Sequence, residues 1–167
     1  HAAAVEFDGK AAILAAPSGT GKSTTTWGLL HEGFRYLSDE LAPVDLEKLA
    51  VYPYPHALCL KSGPPSPYTL PAATLRTSET LHIPVKFLPA EAVMKPTPLA
   101  ALFFLNRDAS EKGCRIRQIS IGEAAARLLA NALNPLAHRG DGLDAAIHIA
   151  QHVRCFELYV AELTEVS

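Results

Sequence analysis

The apolar positions of the chain fall first into two short runs, Ala2 to Phe7 and Ala11 to Ala16, divided by Asp8-Gly9. That dipeptide readily takes the positive φ angles of a two-residue turn, so the pattern predicts a β-hairpin. PSGTGKSTTTWGLLHEG follows, in which Trp27, Leu29 and Leu30 supply an apolar face and Gly33 stands where a left-handed cap would end a helix. A helix over about Lys22 to Glu32 is expected. Next, FRYLSDELAPVD combines β-favouring aromatics with Asp39 and Glu40, and Pro43 has no N–H to give a central ladder, which predicts a strand ending in acids.

Ten of the thirteen prolines lie between Pro53 and Pro98, so short strands and loops are expected there rather than long helices. Beyond them, Leu99 to Leu105 has the pattern of a buried strand and Arg115 to Ser120 that of another. Ile121 to Leu133 predicts an amphipathic helix with Ala124, Leu128, Leu129 and Leu133 turned inward. After a break at Gly140 and Gly142, a last helix is expected over Leu143 to Val153. Cys155 to Leu163 predicts a closing strand, with Phe156, Leu158 and Val160 alternating against Glu157 and Tyr159, and Glu162 nearby. No repeat or linker interrupts the chain, so residues 1–167 are expected to form a single α/β domain.

Composition narrows the function classes. With 49% hydrophobic and 19% charged residues, 167 residues fit one globular domain and not a disordered tail or fibre. The formal charge of -2 leaves no basic field for a nucleic-acid backbone, so no nucleic-acid partner is expected. Cys59, Cys114 and Cys155 form no CxxC pair, which fits neither a zinc knuckle nor a disulfide framework and makes a reducing cytoplasm the default. No run approaches the roughly 18 apolar residues of a membrane span, so no membrane partner is expected. The opening, from His1 rather than Met, suggests that an upstream segment is missing.

The chemistry concentrates in APSGTGKST, Ala16 to Thr24, set between a predicted strand and a predicted helix. Gly19 and Gly21 let the backbone curl with its N–H groups inward, and the helix N-terminus adds partial positive charge, so the segment has the makings of a phosphate-binding loop. Pro17 cannot donate; the cradle is therefore expected from the amides of about Gly19 to Thr24, with Ser18, Gly19, Thr20, Gly21, Lys22, Ser23 and Thr24 as the binding set. Lys22 would bring a point charge to the β- and γ-phosphates, and the Ser23 hydroxyl would ligate Mg²⁺. Ala16 replaces the first glycine of GxxxxGK[ST]. Asp39 follows Lys22 at a spacing that fits one helix and a return strand, which would carry its carboxylate back to the phosphate end. Transfer to an alcohol needs a carboxylate to accept the hydroxyl proton and further oxygen ligands for the metal, and Asp39 and Glu40 can supply both.

HAAAVEFDGKAAILAAPSGTGKSTTTWGLLHEGFRYLSDELAPVD resembles the start of the catalytic domain of HPr serine kinase/phosphorylase. His1, Ser18 to Ser23, Gly33 and Asp39-Glu40 occupy the places of that family's histidine, SGxGKS loop, helix-ending glycine and paired acids. Softer similarity to the shorter HPr-kinase-related bacterial proteins continues in ALCLKSG, PLAALFFLNR and VRCFELYVAEL. The resemblance implies an HPr kinase/phosphoenolpyruvate-carboxykinase-like P-loop fold: mixed β-sheets, a P-loop helix and two C-terminal helices. It implies that Asp39 activates the acceptor hydroxyl, that Glu40 assists the metal site, that His1 lies beside the phosphate loop, and that the protein assembles as a homo-oligomer. The proline-rich stretch stands where the bifunctional enzymes carry a glycine-rich block, which argues against phosphorylase activity and against HPr itself as substrate.

Other signals are weaker. Lys61 and Arg107 each follow a predicted strand and could reach phosphate, although a solvated strand end explains either. His148 and His152 stand at i, i+4, but Ile149 takes the place of the glutamate of HExxH. His138-Arg139 suits an anion contact or a helix-terminus role equally. Asn106-Arg107-Asp108 lacks the spacing of a guanine reader. The sequence thus points to a cytoplasmic kinase that uses ATP and Mg²⁺, with Lys22, Asp39 and His1 in its catalytic set and Ser23, Asp39 and Glu40 around the metal. Its acceptor would be a serine-type hydroxyl of a protein or peptide, with a small-molecule alcohol as the alternative. GTP or pyrophosphate remains open as donor, and a non-catalytic ATP-binding module is the third reading.

Overall fold

The computed structural model describes residues 1–107 and 113–160. The chain opens with β1 (Ala2–Phe7) and β2 (Lys10–Ala15), the expected hairpin. Asp8 and Gly9 take φ of 49° and 74°, as a turn matched to the strand twist requires, and the Gly9 N–H is tied back to the buried Glu6 carboxylate. The loop 16–21 leads into α1 (Lys22–His31). This helix ends where the sequence places its cap: Gly33 has φ of +90°, and the Phe34 N–H closes on the Leu29 carbonyl at 3.1 Å. Then come β3 (Arg35–Ser38), β4 (Val44–Asp45) and β5 (Ala50–Val51). The proline-rich stretch supplies β6 (Leu58–Leu60), β7 (Leu75–Arg76) and β8 (Leu81–Ile83). The chain continues with β9 (Thr97–Asn106), β10 (Arg115–Gln118), α2 (Ile121–Asn131), α3 (Leu143–His152) and β11 (Arg154–Tyr159).

The fold is α/β, with a mixed sheet in the order β10-β11-β9-β2-β1-β3. β2, β9 and β11 run parallel, while β1, β3 and β10 run against their neighbours. β5 extends the sheet along the start of β9 and carries β4, and β6-β8-β7 form a second, three-stranded sheet. Strand periodicity sorts the apolar residues by face. Ala4, Ile13, Ala15, Leu102, Phe104 and Cys155 face α2 and α3, with Ala124, Ala146 and Ile149 packed on them. Val5 and Tyr36 face the other way, onto Trp27 and Leu30 of α1 and Leu58, Leu60 and Ile83 of the smaller sheet.

One sequence expectation changes, and one polar residue takes an unexpected place. Leu133 is 62% exposed, because α2 ends at Asn131 and its Ala132 cap leaves the helical conformation. Glu157, which the alternation sets opposite Phe156 and Leu158, is 2% exposed. The alternation in β11 has the expected period, but the face opposite Phe156 and Leu158 is covered by α2 and not by water. There Glu157 receives Arg117 at 2.7 Å and Arg127 at 2.8 Å, and both arginines also reach Glu123. Glu123 lies three residues after the N-cap Ser120, whose hydroxyl accepts its N–H. Asp108 and Glu162 lie outside the described residues.

The register sets up the site. Ala2 pairs with Ala15, Ala15 with Phe104 and Tyr159 with Asn106, while Ala4 pairs with Ser38. The ends of β2, β9, β11 and β3 and the start of β1 therefore meet at one edge, the place where open α/β sheets offer a crevice.

Candidate phosphate-binding site

The loop from β2 to α1 is built around Gly19 and Gly21, at φ of +88° and +105°, a region that L side chains rarely enter. Gly21 is the N-cap of α1, with no side-chain cap and no acid in the first turn. The helix ladder begins with the Thr25 N–H donating to the Gly21 carbonyl at 2.8 Å. The amides of Lys22, Ser23 and Thr24 consequently have no intrahelical acceptor and point out of the helix end, where an anion would satisfy them. Thr20 is turned onto the loop itself: its N–H and hydroxyl donate to the Pro17 carbonyl at 3.4 and 2.9 Å.

Lys22 is buried, and its Nζ donates to the carbonyls of Ala16 at 2.8 Å and Pro17 at 3.4 Å. Burial pulls its pKa below that of an ordinary lysine; Asp39 and Glu40 oppose this, and the charge of Lys61 adds to it. Asp39, the residue after β3, is 2% exposed. Its Oδ2 accepts the Cys59 N–H at 3.0 Å, while Oδ1 has no hydrogen-bond partner of good geometry. Burial raises this carboxyl above the usual carboxylate range, and the negative charge of Glu40 acts in the same sense. The Cys59 amide, the Ser23 hydroxyl and Lys22 act against the rise. Glu40 is exposed, and its carbonyl accepts the Ala2 N–H at 3.2 Å.

The structure thus brings Lys22, Ser23, Asp39 and Glu40 into one electrostatic neighbourhood. A hydroxyl and two carboxylates are hard oxygen donors of the kind Mg²⁺ prefers, and an unpartnered buried Asp39 Oδ1 fits such a group.

His1 lies at the same edge, its main-chain nitrogen donating to the Asn131 carbonyl at 2.6 Å. It also borders a cavity of about 490 Å³, which Ala15, Leu41, Leu129, Asn131 and Ile149 help to line on the α2 and α3 side. Arg107 follows the end of β9 at this edge and is exposed. His138 borders the cavity. His148 and His152 are engaged locally, the first with the Leu46 carbonyl at 3.0 Å and the second with the His148 carbonyl at 2.8 Å.

Sequence reasoning named Lys61 without placing it and missed one further group. Lys61, for which a solvated strand end was the simpler expectation, sits on the loop with its Nζ 3.3 Å from the Ser18 hydroxyl. The Cys59 amide, which holds Asp39, carries no side-chain signature at all. Comparison of the chain with models of known protein families gives no match, and a search among curated proteins gives none either.

Proposed function

We propose that the protein is a Mg²⁺-dependent kinase with an HPr-kinase-like P-loop fold, transferring the γ-phosphoryl group of ATP to a serine-type hydroxyl of a protein or peptide. The observation that carries this reading is Asp39: a carboxylate buried beside Ser23 and Lys22, anchored through one oxygen and unpartnered at the other. A buried, half-satisfied carboxylate is costly to fold, and it is suited to taking a proton from an incoming hydroxyl. The resemblance of the first quarter of the chain to HPr serine kinase/phosphorylase supports the same assignment.

In this reading the amides of Lys22, Ser23 and Thr24 bind the inner phosphates, and Lys22 exchanges its loop carbonyls for phosphate oxygens. Ser23, Asp39 and Glu40 would hold Mg²⁺, which supplies neutralisation of the phosphate charge. Asp39 takes up the hydroxyl proton as the acceptor oxygen bonds the γ-phosphorus and the bond from that phosphorus to the bridging oxygen breaks, releasing ADP. Orientation and charge stabilisation supply most of the rate, because the loose transition state asks for no covalent enzyme intermediate.

The test is incubation with γ-labelled ATP, Mg²⁺ and lysate of the native host. Label on a protein or peptide serine supports the reading. Label on a metabolite supports the small-molecule alternative. Asp39→Asn should lower transfer by at least about 10²-fold with ATP affinity little changed. Nucleotide binding without transfer in the wild type would leave a non-catalytic ATP-binding module.

A further inference from the structure

Resting on the phosphate-site reading above, we infer that Lys61 is a second phosphate-gripping cation, contacting the outermost phosphate of a nucleoside triphosphate from the Ser18-Gly19 side of the loop. Lys61 follows β6 directly and lies two residues beyond Cys59, whose amide anchors Asp39. The strand that fixes the carboxylate therefore also delivers the ammonium. Its Nζ is 3.3 Å from the Ser18 hydroxyl and 3.9 Å from the position a Cβ on Gly19 would occupy, so it stands against bare backbone at the start of the loop.

Neither Lys61 nor Lys22 has a salt-bridge partner among the described residues, although the carboxylates Asp39 and Glu40 lie within electrostatic reach of Lys22. Two ammonium groups aimed at one short loop repel each other, and the attraction of each to a bound polyanion would outweigh that repulsion. The contact to Ser18 is long and exposed, too weak to explain the placement by stability alone. The free amides at the start of α1 serve the inner phosphates, which leaves the Ser18-Gly19 side, and Lys61 with it, for the outer one.

The experiment is a calorimetric titration of ATP and ADP, with and without Mg²⁺, into wild type, Lys61→Met and Lys61→Arg, together with the melting temperature of each protein without nucleotide. Lys61→Met should weaken ATP binding about 10-fold, as expected for one charge-assisted contact, and ADP binding by no more than about 2-fold. Its nucleotide-free melting temperature should stay at the wild-type value, and Lys61→Arg should recover most of the ATP affinity. ATP affinity unchanged in Lys61→Met overturns the inference, and so does an equal loss for ATP and ADP, with or without a lower melting temperature, because that marks a structural tie. A wild type that binds neither nucleotide overturns the phosphate-site reading itself.

Discussion

Glu157→Gln removes the charge from a carboxylate that is 2% exposed and gripped by two arginines arriving from different elements, Arg117 on β10 and Arg127 on α2. Burial alone would raise this carboxyl, but hydrogen bonds from Arg127, Arg117 and Tyr159 outweigh it and hold the pKa at about 2, against an ordinary 4.5. A group depressed in this way stabilises the fold fully above pH 4.5 and loses that contribution as the pH falls toward 2. The full difference corresponds to at most about 3 kcal/mol, of which about 2 kcal/mol is gone at pH 3. It is an upper figure because Arg117 and Arg127 are themselves 48% and 32% exposed, so solvent screens part of the attraction. The assay is urea unfolding of wild type and Glu157→Gln at pH 7 and pH 3. Other carboxylates, such as Glu6 beside Arg35, contribute to both proteins and cancel in the comparison. Wild type should be the more stable at pH 7 and should lose up to about 2 kcal/mol more than the variant on acidification. Equal losses would mean that the two arginines do not hold the carboxylate in its charged form, and the account of the cluster would fall.

Lys22→Ala should weaken nucleotide binding and abolish transfer together, since the ammonium is asked to bind phosphate as well as to stabilise its charge; calorimetry showing ATP binding intact would contradict the proposed cradle. Gly21→Ala meets no atom within 4 Å, so its cost is conformational: at φ of +105° it should lower stability by about 1–2 kcal/mol and weaken ATP binding through the distorted helix start, measured by thermal unfolding and titration.

The sequence foretold the elements whose signals are local. Asp8-Gly9, the glycines of the loop, Gly33 and the apolar runs each encode their own geometry within a few residues, and the hairpin, the loop with its helix and the strand at β9 follow from them. The burial of Glu157 did not follow, because alternation gives a strand two faces without saying what covers each. Which face α2 would cover depends on the long-range pairing of β9 with β11. Lys61 was a candidate whose place stayed open for a similar reason: a lysine after a short strand in a proline-rich stretch can end in solvent or at the loop until the second sheet docks beside α1. The meeting of His1, Ala15 and Asp39 at one edge is a product of register, which motif spacing allows but does not dictate.

The docking of the smaller sheet gives the proline-rich segment a part in the site. Asp39 leaves β3 with a carboxylate that neither the loop nor α1 satisfies by itself, and the amide it finds belongs to β6, twenty residues on. The same strand ends in Lys61 at the loop, and Leu58 and Leu60, which alternate with Cys59, are buried against the α1 side of the main sheet. Packing of these two leucines thus sets the height of an amide under the carboxylate and of an ammonium over the loop. Prolines throughout the flanking chain lower the conformational entropy lost when so short a strand is fixed. The segment that lacks long regular structure is therefore the one that joins the candidate base to the loop, held there by two buried side chains.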